Sequence, residues 1–167
     1  MQDRHAHCAY CGARFTPGQS WPRRCTACGE TTYRNPSPVA VAIQPVGHGL
    51  LAIRRGIPPA RDRLALPGGF IDIGETWQAA AVRELAEETG LEADPAAVRL
   101  YDTVSAPDGT LLVFALLPAL PSAGALPPEP DDAETLGREI LYAPTELGFS
   151  LHTAVVTRWF TAPGTLT

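Results

Sequence analysis

The chain has 167 residues, 45% of them hydrophobic and 19% charged, with a formal net charge of −5. That supports one ordinary domain with a real core plus a small appendage, and it excludes wholesale disorder. The longest apolar run, Leu111–Leu117, ends at Pro118, well short of a membrane span, and the polar start Met1-Gln2-Asp3-Arg4-His5 has no apolar signal core behind it, so the chain reads as cytoplasmic.

In chain order, the first element is a cysteine-rich module over residues 1–34. Cys8-x2-Cys11 and Cys25-x2-Cys28 are thirteen residues apart, and Gly12 and Gly29 follow the two pairs. Two C-x2-C turns supply four soft ligands to one point, and each trailing glycine lets backbone amides turn toward the sulfurs. This predicts a zinc ribbon, since some thirty residues cannot bury a core without a metal staple. Arg14, Arg23, Arg24 and Arg34 offer a recognition role instead, but four thiolates on Zn²⁺ carry −2 against the module's +3. A structural role is favoured.

Asn35-Pro36-Ser37-Pro38 reads as a stiff linker into one α/β domain over 35–167. Charge reverses there: eight Arg face sixteen acids, a poor surface for nucleic acid and a good one for divalent cations. Val39–Val46 and Leu50–Arg54 are β-rich runs around a Gly47-His48-Gly49 turn. Arg54 and Arg55 end the second run facing a Pro/Arg loop, where contact with phosphate is plausible. Gly68-Gly69 reads as a turn. The next helix is predicted to start at Thr76 as N-cap and to stop at Gly90 as a left-handed cap.

Val98–Val104 and Thr110–Leu117 read as a strand pair around Pro107-Asp108-Gly109. Residues 118–133 hold five of the seventeen prolines and read as a long loop of the kind that forms lids or specificity elements. Glu139–Tyr142 fits a last strand. Ser150 fits the cap of a final helix with Leu151, Ala154, Val155 and Trp159 on one face. His48 and His152 read as exposed or partly buried, and Tyr33, Phe70 and Trp77 as core rather than stacking platforms.

The most informative stretch is Gly69-x5-Glu75-x7-Arg83-Glu84-Leu85-x-Glu87-Glu88-x-Gly90-Leu91. Glu84, Glu87 and Glu88 share one helical face at i, i+3 and i+4. Three such carboxylates repel and raise one another's pKa unless a cation is present, and no Lys or Arg follows one turn on. Mg²⁺ or Mn²⁺ with oxygen ligands answers that charge. Glu75 stands at the helix start, Arg83 can lock one carboxylate in orientation, and Gly68-Gly69 lets backbone approach a metal or phosphate.

At these residues the chain resembles the Nudix hydrolases, matching their signature box at every defining position. The resemblance implies an α/β/α sandwich around a mixed sheet. It also implies Mg²⁺-dependent cleavage of the diphosphate in a nucleoside diphosphate linked to another group, often by a homodimer. It makes Glu84, Glu87 and Glu88 metal-binding carboxylates, with the Gly69 carbonyl as a further ligand, Glu75 as support for the loop or an outer metal, and Arg83 orienting Glu84. Glu134 is the candidate for a third acid from the 129–139 segment.

The ribbon-plus-box layout, with Thr32-Tyr33-Arg34-Asn35-Pro36 between, is similar to bacterial NADH pyrophosphatases and to a group acting on FAD or ADP-ribose. Residues 92–125 lack the Ser-Gln-Pro-Trp-Pro-Phe-Pro-x-Ser segment of the former. Phe149-Ser150-Leu151 after a Glu-containing loop is more similar to the latter. Two other readings stay open: a nucleotide-sensing or interaction module of the same fold, and an enzyme that sanitises oxidised nucleoside triphosphates. Sensors typically lose box carboxylates, and this chain keeps them all.

Overall fold

The computed structural model describes residues 5–131 and 133–162, which fall into two compact units, Met1–Pro36 and Ser37–Thr167. In the first, two knuckles repeat one geometry. Cys8 N donates to Ala13 O and Gly12 N to Cys8 O, and Cys25 N donates to Glu30 O and Gly29 N to Cys25 O, at 2.8–3.0 Å. Gly12 and Gly29 have φ of 73° and 78°, the left-handed conformation that a glycine adopts without a Cβ clash. The short strands β1 (Arg23–Arg24) and β2 (Thr31–Thr32) pair antiparallel. The only buried apolar groups of this unit, among the described residues, are Cys8, Phe15 and Cys25, too few to hold a fold without help.

The second unit contains β3 (Ser37–Ile43), β4 (Pro45–Val46), β5 (Gly49–Arg55), β6 (Leu64–Ala65), β7 (Gly68–Phe70), α1 (Trp77–Thr89), β8 (Arg99–Ser105), β9 (Thr110–Leu116), β10 (Thr135–Leu141) and α2 (Ser150–Thr161). One sheet runs β7-β3-β9-β8, with β3 parallel to β9 and the other pairs antiparallel. The other runs β10-β5-β4, with β6 also on β5. Strand side chains alternate between two cores. Ala40 and Ala42 of β3 join Leu51, Ala80, Ala81 and Leu85 on the α1 side. Val41 and Ile43 join Leu50, Phe114, Val155 and Val156 on the α2 side. Burial on both faces explains the nearly unbroken apolar run of β3. This is the expected α/β/α sandwich, with one mixed and one antiparallel sheet.

Several elements differ from the sequence reading. The run 39–46 is broken at Gln44, where the chain passes from one sheet to the other. The Gln44 side chain is buried, and its amide nitrogen donates to Pro45 O at 2.8 Å and Pro118 O at 2.9 Å. Those bonds satisfy an amide that would otherwise be costly to bury. Gly68-Gly69 forms β7 rather than a free turn, pairing Gly69 with Ala40 and Gly68 with Val41.

The last strand runs Thr135–Leu141 rather than Glu139–Tyr142, because its early part adds to β5 beside Arg54 and Arg55 through a register shift between Thr135 and Gly137. The N-cap of α2 is Phe149, not Ser150. Ala154 is exposed, and the inward face of α2 is His152, Val155 and Val156, with partly buried Leu151, Trp159 and Phe160 packed against the same core. Tyr33 and Phe70 are exposed rather than core, while Trp77 does pack against the α1 core.

The proline-rich loop is fastened to the fold. Leu120 and Leu126 pack on the α1 core, and Leu120 exchanges backbone bonds with Pro45 and Gly47. Arg138 of β10 donates to Thr89 O at the end of α1 and, at 2.7 Å, to Pro127 O, with Glu129 Oε1 3.6 Å from its Nε. A cation at a helix C-terminus is favourable, so Arg138 both caps α1 and straps down the loop.

Candidate active site

Helix α1 carries the acidic box as its sequence dictates. The Thr76 hydroxyl accepts from Ala79 N at 3.2 Å, and Gly90, at φ 73°, closes the helix by donating to Ala86 O. This fixes the phase of the helix, so that Leu85 points into the core, Glu84 and Glu88 meet β7, and the more exposed Glu87 reaches Arg83.

Arg83 is the hub. Its Nε and Nη2 hold both oxygens of Glu75 at 3.0 Å, its Nη1 reaches Glu84 at 2.7 Å and Glu87 at 3.2 Å, and its Nη2 also donates to Phe70 O at 3.0 Å. Bidentate geometry of this kind is strong and directional. The bond from Arg83 holds the Glu75 carboxyl below the usual range, against a smaller effect of burial. Glu84 is pushed the other way: burial raises its pKa, Arg83 only partly offsets this, and the charges of Glu87 and Glu134 add to it. Glu75 first and Glu84 second keep Arg83 firmly protonated.

The remaining carboxylates differ in environment. Glu88 is buried at 6% exposure and accepts from Gly68 N at 2.8 Å, whereas the Glu87 side chain is 58% exposed. A Cβ on Gly69 would collide with Cδ and both oxygens of Glu84, so that carboxylate rests on bare backbone. The structure thus brings Gly69, Glu75, Arg83, Glu84, Glu87 and Glu88 together. Glu134 is exposed just before β10, near enough for its charge to act on Glu84. The donor set fits a hard divalent cation: all oxygen, in negative excess over a single guanidinium, with one carboxyl already raised in pKa.

Arg54 and Arg55 have other partners. Arg54 pairs with Glu139 and donates to Asp62 O at 2.7 Å. Arg55 donates to Pro59 O at 2.9 Å and lies 5.2 Å from the Phe149 ring centroid. Together they brace the 56–63 loop, where Ala60 and Asp62 hold left-handed φ of 60° and 63°. This loop, with Glu146–Ser150 and Thr153, lines an open groove.

The sequence reading also underestimated His152. It is buried at 7% exposure, its Nδ1 accepts from Leu66 N at 3.2 Å, and burial, with Arg55 adding, lowers its pKa to about 4. The signal was present: 152, 155, 156 and 159 follow helical spacing, so a histidine sits on the apolar face.

In the ribbon, the ligand atoms of Cys8, Cys11, Cys25 and Cys28 all lie within 4.8 Å of one another; among the described residues no other group of His, Cys, Asp or Glu converges in this way, the box carboxylates included, of which Glu75, Glu84 and Glu87 are turned to Arg83. Backbone amides of Cys11 and Tyr10 lower the Cys8 pKa to about 6. For Cys28, the Glu30 amide pulls down, but burial and three neighbouring sulfurs outweigh it and push the value up to about 12. A cation among four sulfurs removes that repulsion, and four thiolates suit Zn²⁺. Two of the arginines considered for recognition are engaged internally. Arg23 donates to Gln19 O and His5 O and lies 4.3 Å from the Trp21 ring centroid, and Arg24 donates to Gly29 O. Purified, reduced protein is therefore expected to carry about one zinc per chain. Chelation should unfold the ribbon. Metal analysis near zero in such protein would overturn this.

No helix among the described residues is long and apolar enough to cross a membrane. Residues 34–160 match the model of the NUDIX domain. A Deinococcus radiodurans protein named NAD-capped RNA hydrolase NudC is 29% identical over 138 residues, covering 80% of this chain and 48% of that protein. An ADP-ribose pyrophosphatase of Methanocaldococcus jannaschii is 40% identical over 76 residues, covering 46% of this chain and 44% of its own. The chain thus spans half or less of the length of these curated relatives. Among solved structures, a NUDIX hydrolase from Nitrosomonas europaea superposes with a TM-score of 0.68 at 25% identity, covering 92% of this chain and 89% of that one. With most of its length inside the match and its fold shared with that hydrolase, the chain belongs to the NUDIX domain family.

Proposed function

We propose that the protein is a Mg²⁺- or Mn²⁺-dependent pyrophosphohydrolase acting on the diphosphate of a nucleoside diphosphate derivative of the ADP-ribose, FAD or NADH type. The observation that carries this reading is the complete carboxylate set on α1, braced by Arg83, with the Glu84 carboxylate against Gly69. Glu84, Glu87 and Glu88, with the Gly69 carbonyl, would hold the cation, Glu75 would set the loop through Arg83, and Glu134 would add a further acid. When bound, the cation neutralises charge on the diphosphate and acidifies water. Water attacks one phosphorus in line, its bond to the bridging oxygen breaks, and the proton passes to a carboxylate of this set. Arg83 keeps Glu84 oriented throughout. The ribbon holds a structural Zn²⁺.

The relatives' names, NAD-capped RNA hydrolase and ADP-ribose pyrophosphatase, support the substrate class. The missing proline-rich motif in 92–125 favours ADP-ribose or FAD over NADH. The test is to incubate the pure protein with Mg²⁺ and ADP-ribose, NADH, FAD, diadenosine polyphosphate and 8-oxo-dGTP in turn. AMP release from ADP-ribose or FAD is expected. Tight binding without turnover would make it a sensor, and turnover of 8-oxo-dGTP alone would make it a sanitation enzyme.

A further inference from the structure

The geometry points to His152 as a positioning residue for the acidic site, acting through the backbone of residues 66–68. His152 lies on the opposite layer of the sandwich from α1 and touches none of the box glutamates in any contact described above. Its Nδ1 accepts the Leu66 amide at 3.2 Å. One residue on, Pro67 O accepts from Ala42 N at 2.8 Å. One further, Gly68 N donates to Glu88 Oε2 at 2.8 Å. Gly69 then meets the Glu84 carboxylate. Four consecutive residues therefore connect a buried imidazole to two box carboxylates.

The imidazole is held by two aromatic rings. Phe114 meets it edge-on at 5.8 Å, and the tilted Phe149 ring lies at 5.1 Å between ring centroids. The charged group that acts on it is Arg55, which disfavours a second proton, as burial does. A neutral ring with a bare Nδ1 is therefore the acceptor, and the proton resides on Nε2. Leucine of similar bulk would pack in this apolar setting at least as well. What histidine adds is an acceptor for a buried amide that has no strand partner at that point. Orienting groups behind a metal site act in this way, by restricting the ligands they support.

This inference rests on the reading of Glu84 and Glu88 as part of the cation site, and its test separates the two. The first measurement is the ¹⁵N spectrum of histidine-labelled wild-type protein near neutral pH. His152 should show the Nε2–H tautomer, and an Nδ1–H tautomer would overturn the assignment whatever the variants do. Next, His152→Leu should speed amide exchange at Gly68 and weaken Mn²⁺ binding, each about tenfold. His152→Asn, whose Oδ1 stands where Nδ1 stood, should restore both to within about threefold. A merely structural role would lower the unfolding midpoint of both variants without separating them. Unchanged Gly68 exchange in folded His152→Leu overturns the proposal. If that variant does not fold, His152→Gln replaces it, since its acceptor is displaced by one methylene. If wild-type protein binds no Mn²⁺, the cation reading fails, and Gly68 exchange still decides the role of His152.

Discussion

Glu88→Gln lowers the rate of diphosphate hydrolysis by roughly three orders of magnitude and leaves the unfolding midpoint almost unchanged. The asymmetry follows from what the side chain does in each respect. Structurally, Glu88 accepts the Gly68 amide at 2.8 Å inside the fold. Glutamine has the same shape and an amide oxygen that accepts the same bond from Gly68 N. Chemically, the charge is gone, and with it a ligand for the cation. Glu87→Gln should lose comparable activity with still less structural effect, because its side chain is 58% exposed. Glu88→Ala is the contrasting control. It leaves the Gly68 amide without a partner, and an unsatisfied buried amide costs about 1–3 kcal/mol. Steady-state kinetics with Mg²⁺ beside thermal unfolding would separate these effects. Full activity in both Gln variants would place the cation elsewhere.

The second large effect comes from a pair of adjacent glycines. Gly69→Ala should abolish most activity with little loss of stability. Gly68→Ala should destabilise the domain by about 1–3 kcal/mol or more, with activity falling in step. The Cβ of an alanine at 69 meets the carboxylate of Glu84, the far end of a flexible side chain that can swing aside. In doing so it leaves Arg83 and the position facing β7. The Cβ of an alanine at 68 meets the Ala40 carbonyl and Val41 Cα, which are backbone atoms of the central strand and cannot yield without breaking the β3–β7 pairing. Unfolding curves and initial rates for both variants would show the crossover. Equal stability losses would mean that the two positions are not distinct.

The parts of this protein legible in the sequence are those built from neighbours along the chain. Thr76 and Gly90 bound α1 because caps are local chemistry, and the glutamate spacing fixes which of them share a face. The strands around Pro107-Asp108-Gly109 were legible for the same reason. What stayed hidden depends on distant partners. Nothing near Gln44 indicates that Pro118 O waits for its amide. Arg138 reads as one more strand charge until the end of α1 and Pro127 close around it. Arg54 carries the right chemistry for phosphate, and its pairing with Glu139, far along the chain, shows only in the fold. On α2, Leu151, Val155 and Trp159 pack as their spacing predicts, but Ala154 is exposed and His152 joins the face, because burial keeps the imidazole neutral and lets it act as a core residue with one acceptor.

The course of β3 has a mechanical consequence. The chain leaves the Cys unit and enters the larger unit directly as β3, which is held between two neighbours: β7, and β9 along its whole length from Ser37 to Ile43. A pull along the strand therefore loads its hydrogen bonds in shear, many at once. It cannot peel an edge strand away one bond at a time. Beyond Ile43 the same strand turns at Gln44 into the second sheet, so tension that reaches its far end is shared by both sheets. Resistance to force is set by the unfolding barrier. Traction on the N-terminal segment therefore loads the β3–β7 and β3–β9 bonds together, and through β7 it reaches the backbone against which Glu84 and Glu88 rest.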